Sequence, residues 1–71
     1  MWRRVYRLDD GRDMLVEDGS ETMRDANKAH IMSMRTADDL GFISVRGSDE
    51  IPVYLNLNHV IYVAFEESDD Q

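Results

Sequence analysis

The longest apolar run of the chain is Ile51–Phe65, IPVYLNLNHVIYVAF, and its residue types are those of β-strands. Val53, Tyr54, Val60, Ile61, Tyr62, Val63 and Phe65 are β-branched or aromatic, side chains that fit a pleated, half-buried surface. Pro52 has no N–H to give a ladder and marks the start of a strand. Val53, Leu55 and Leu57 alternate with Tyr54 and Asn56 before Asn56–His59 interrupts the run. The pattern therefore predicts strands over 52–57 and 60–65, joined by a tight turn or one 3₁₀ turn.

Upstream, Trp2–Leu8 alternates so that Trp2, Arg4, Tyr6 and Leu8 share one side of a strand and Arg3, Val5 and Arg7 the other. Asp9-Asp10-Gly11-Arg12 is a hairpin signal, and a second strand is predicted over 13–17, ended by Asp18-Gly19-Ser20. Ser20 is a fair N-cap with Glu21 in the first turn. A helix over about 20–35 follows, with Met23, Ala26, His30, Met34 and Ala37 on one stripe. His30–Arg35 also alternates and fits a strand paired with Phe42–Val45, but Met and Ala favour the helix. Gly41 can end that helix in the left-handed conformation, Phe42–Arg46 is a third strand, and Gly47–Glu50 is a loop. The order ββαβββ is α+β, with one helix across a small, mostly antiparallel sheet or plugging an open barrel. Residues 1–65 form a single domain, and the charged segment 66–71 reads as a frayed acidic tail.

A strand, a 3₁₀ turn and a last strand near the C-terminus resembles the closing segment of small SH3-like and Sm-like barrels. Val45-Arg46-Gly47 followed by Tyr54-Leu55 and His59 is similar to part of the tryptophan-activated RNA-binding attenuation protein. That resemblance implies RNA held by basic residues along the strand. Ser44 stands before Val45 here, so Arg46 alone keeps the pattern, and the family has no helix where one is predicted.

At 71 residues the chain has a marginal core of its own, and with no cysteine neither disulfides nor thiolate metal sites can reinforce it. Association is the remaining route to buried area. No apolar segment reaches the ~20 residues of a membrane span, and the N-terminus has no apolar signal core, so a soluble cytoplasmic protein is expected, without membrane partners. Fifteen acidic against eight basic residues give a formal net charge of −7, which disfavours nucleic acid.

Candidate chemistry is sparse. His30 and His59 could hold a metal if the helix met the last hairpin, but a core-edge histidine and a turn histidine explain them better, so no metal or cofactor is expected. The paired carboxylates lie in turns or the tail and have nothing to separate their pKa values, so no enzyme is expected. Arg3, Arg4, Arg7 and Arg12 crowd Trp2 and Tyr6, which suits phosphates and stacked bases, or equally pairing with the acidic C-terminal residues. The reading is a non-catalytic interaction or regulatory module, its size suggesting a bacterial or phage source. It self-associates or binds another protein at strand edges through Trp2, Arg4, Tyr6, Tyr54, Val60 and Tyr62. The alternative is an RNA-binding oligomer using Arg3, Arg4, Arg7 and Arg46.

Overall fold

The computed structural model describes residues 1–46 and 51–68. The predicted 47–50 loop, Gly47 of the attenuation-protein likeness, and tail residues 69–71 lie outside them. The order is β1 (Trp2–Leu8), β2 (Asp13–Ser20), α1 (Met23–Arg35), β3 (Phe42–Arg46), β4 (Pro52–Asn56), a 3₁₀ turn (Leu57–His59) and β5 (Val60–Glu67). This is the α+β arrangement ββαβββ that the pattern predicts. Its strands divide into two antiparallel sheets, one of order β2-β1-β5 and one of β3 with β4. Among the described residues no helix is long and apolar enough to cross a membrane.

The alternation of β1 is real, but the side that carries Arg4 is the buried one. Tyr6 and Val16 from the first sheet meet Ile43, Val45 and Leu55 from the second, with Leu8, Val60 and Val63 packed against them. The core thus lies between the sheets.

Three boundaries move. Thr22, not Ser20, caps the helix, its hydroxyl accepting from the Asp25 N–H, because Ser20 is still the paired end of β2. β2 continues through Asp18 and Gly19 by way of a register shift opposite Trp2–Arg4, with Gly19 at φ 67° absorbing the irregularity. β5 runs on to Glu67, so Glu66 and Glu67 are strand rather than tail, opposite Arg3 and Trp2. Glu66 gains an ion pair with Arg3 by doing so.

The helix stripe is also shifted. Ala26 is buried and Ala29, His30, Ser33 and Ala37 are half-buried, whereas Met23 and Met34 stand more than half exposed. Small side chains face the sheet because Tyr6 and Arg4 already fill the space below.

The two halves are tied by turns. Asp38 accepts through Oδ1 from the N–H groups of Leu40 and Phe42, and Gly41 O accepts from Leu57 N–H at 2.8 Å. Asn58 donates its side-chain amide to Leu40 O. Gly41 sits at φ +87° where an added Cβ would come 2.9 Å from Asn58 Nδ2. Gly11, at φ +89°, has open space around it. Both Gly→Ala variants incur the left-handed cost of about 1–2 kcal/mol, and Gly41→Ala adds the clash. Urea unfolding should show a distinctly larger loss for Gly41→Ala than for Gly11→Ala, and equal losses would show that the Asn58 contact is slack.

Candidate functional site

The densest polar constellation lies under α1. Arg4 projects inward from β1 and is 2% exposed, an unusual position for a guanidinium. The β2 irregularity turns Asp18 onto it: Arg4 Nε and Nη2 each donate to an Asp18 carboxylate oxygen at 2.7 Å, a bidentate pair. Nη1 donates to Tyr6 Oη at 2.9 Å and to Ser33 Oγ at 3.1 Å, reaching α1. Tyr6 Oη lies 2.8 Å from His30 Nδ1, and His30 stands edge-on to Phe65 with centroids 6.4 Å apart.

Hydrogen bonding fixes the polarity of this chain. A guanidinium only donates, so Tyr6 Oη accepts from Arg4 and has its own proton to give. The acceptor nearest that proton is His30 Nδ1, the arrangement in which a neutral imidazole carries its own proton on Nε2. Burial, and then the Arg4 charge, hold the His30 pKa below its ordinary 6.5, consistent with a neutral ring. Burial raises the Tyr6 hydroxyl above 10.0, against the opposing pull of Arg4. Burial opposes charge on Arg4 itself, but the Asp18 bonds and the Tyr6 and Asp18 fields outweigh it, so Arg4 stays ionised. Among the described residues no buried side-chain nitrogen or oxygen lacks a partner.

Beside this network a cavity of about 510 Å³ opens between α1 (Ala29, Met32), β2 (Glu17, Asp18) and β3 (Ser44, Arg46). A second, of about 300 Å³, lies at the other end, by Asp9, Phe42, Tyr54 and His59. His59 Nδ1 lies 2.7 Å from Asp9 Oδ2, and both side chains are exposed. Each histidine thus has a separate partner. Among the described residues no group of three or more His, Asp or Glu gathers as a metal site.

Of the six residues predicted for an interface, Arg4 and Tyr6 are committed to this interior and cannot reach a partner. Trp2 and Val60 are half-buried, while Tyr54 and Tyr62 are 73% and 50% exposed. Of the four arginines predicted for RNA, Arg3 bonds Glu17 and Glu66, Arg4 bonds Asp18, and Arg7 bonds Asp13 while its guanidinium lies 5.8 Å over the Tyr62 ring. Arg46 is exposed and has no ion pair among the described residues. The pairing reading of the N-terminal arginines is the one the geometry carries, though with Glu17, Asp18 and Asp13 as well as Glu66.

Asp18 and Ser33 were not predicted. Asp18 shares parity with Val16, which could have placed it inward, but its neighbour Gly19 reads as a break. No family model, curated protein or solved structure matches the chain.

Two outcomes follow from the network. Asp18→Ala leaves a buried guanidinium with half its partners and should cost about 3 kcal/mol in urea unfolding, whereas Arg3→Ala, at the surface, should cost at most about 1. Because folding lowers the His30 pKa, its contribution is full above the unfolded value of 6.5 and falls away as pH drops below it. Stability measured between roughly pH 5.5 and 7.5 should rise with pH. His30→Gln should flatten that rise, and an unchanged slope would remove His30 as its source.

Proposed function

We propose that the chain is a small, non-catalytic interaction module of regulatory or accessory type that self-associates through strand edges. The observation that carries this reading is where the large apolar side chains stand. β4 and β5 each end a sheet, and they carry Tyr54 at 73%, Ile61 at 63% and Tyr62 at 50% exposure. Terminal strands present unpaired N–H and C=O groups, and aromatic side chains on them supply the area on which such contacts depend.

The size of the core supports the same reading. Among the described residues the buried apolar side chains are Val5, Tyr6, Val16, Ala26, Ile43, Val45 and Leu55, few for a chain with no covalent reinforcement. The polar network supports a non-catalytic role, since its hydroxyl, guanidinium and imidazole groups are spent on one another. The RNA reading has less support, since phosphate would have to displace carboxylates already bonded to Arg3, Arg4 and Arg7, and of its four arginines Arg46 alone is exposed without an ion pair among the described residues.

Light scattering on a sizing column at micromolar concentration should give a mass that is a multiple of the single chain. A strict monomer up to millimolar concentration overturns the proposal.

A further inference from the structure

We infer that two copies join antiparallel along β5, extending the three-stranded sheet across a two-fold axis into a six-stranded one, β2-β1-β5-β5-β1-β2. This rests on the self-association reading and narrows it to one edge and one partner.

The four strands that end a sheet are not equivalent. β2 carries Asp13, Glu17 and Asp18 and is broken in register near Gly19. β3 ends on Arg46 and lies beside β2. β4 has five residues and opens on Pro52, features that discourage pairing. β5 has eight residues, and its first six, Val60–Phe65, are uncharged, β-branched or aromatic apart from Ala64, with no Pro or Gly. Its far edge has no neighbouring strand among the described residues.

Charge restricts where a second copy can sit. Chains of net charge −7 repel overall, so self-association is best tolerated where each presents a neutral surface, and Val60–Phe65 is the longest such edge among the described strands. The charges of β5 are confined to Glu66 and Glu67 at one end. Because opposed residues of an antiparallel pair share a face, a two-fold must centre on a residue, and pairing about Ala64 sets each copy's Glu66 opposite the other's Tyr62. The two Glu66 residues then lie roughly 14 Å apart along the ladder at 3.4 Å per residue, beyond the ~8 Å screening length at physiological salt. Parallel pairing would set them about 5 Å apart, which is repulsive.

The helix supplies a second reason. His30 faces Phe65 of β5, and Met23 and Met34 fall on the same helical stripe as His30, at seven and four residues from it. Both methionines are more than half exposed. A strand laid along the free edge of β5 extends the sheet on the helix-bearing side as well as the outer one, and its side chains stand beside the exposed Ile61 and Tyr62.

The chain has no cysteine, so a single Cys substitution gives one unique nitroxide site. Ala64→Cys on β5 and Tyr54→Cys on β4, each spin-labelled and checked for native circular dichroism, are compared by electron paramagnetic resonance. Dipolar broadening at 64, absent at 54 and removed by dilution with unlabelled protein, is expected. Ala64→Lys, which brings two cations to the axis, should dissociate the dimer at concentrations where the parent is dimeric. An oligomer without broadening at 64, or with broadening at both positions, overturns the β5 two-fold but leaves self-association standing. An unlabelled parent chain that is monomeric by mass overturns both.

Discussion

The burial of one guanidinium governs this structure. An arginine at 2% exposure loses its water, a cost of several kcal/mol that only close, well-aligned acceptors offset. The chain provides them from three elements: Asp18 on β2, Tyr6 on β1 and Ser33 on α1. Each acceptor has consequences beyond itself. Asp18 can face inward because β2 carries its irregularity beside Gly19. Ser33, with Ala26 and Ala29, keeps the helix face small enough to close over the arginine. Tyr6, accepting from Arg4, keeps its own O–H to donate to His30 Nδ1 and so links the network to a ring on the helix.

That arrangement explains what was legible in the sequence and what was not. Strand alternation in Trp2–Leu8, the glycine turns at Gly11 and Gly41, and the strand, 3₁₀ turn and strand of the last third are local features, and local residues encode them. Orientation is not local. In β1 the preference for apolar interiors favours the side of Trp2, Tyr6 and Leu8, but that side also carries Arg4, and nothing local says that a guanidinium there will find buried partners. The Met23 and Met34 stripe fails for the same reason: helical spacing finds a face, but whether it is covered depends on what already occupies the space beneath. Asp18-Gly19-Ser20 has the composition of a strand end, yet Ser20 pairs with Trp2 across a bulge. The division into two sheets depends on pairings between distant segments, which no short pattern records.

The outer face of the three-stranded sheet shows the other half of the electrostatics. Arg3 lies between Glu17 and Glu66, Val5 is paired with Leu15 and Ala64, and Arg7 holds Asp13 while covering the Tyr62 ring. The basic N-terminal strand is thereby neutralised by both of its neighbours. Such exposed pairs add little stability individually. Their larger effect is on recognition, since a strand that looks basic in sequence presents a balanced surface when folded. Half of the eight cationic side chains are spent this way or on Asp18 and Asp10.

The polar centre and the apolar exterior are linked. A small domain has room for few buried side chains, and Arg4, with the partners that satisfy it, takes part of that room. Ala and Ser then face the sheet where larger apolar residues could have stood, and Met23, Ile31 and Met34 stand exposed on α1. The same limit leaves Tyr54, Ile61 and Tyr62 outside on the strands. A chain with an apolar residue in place of Arg4 could close on itself more completely. With the arginine retained, the apolar area missing from the interior stands among the described residues on the surface, concentrated on β4, β5 and α1.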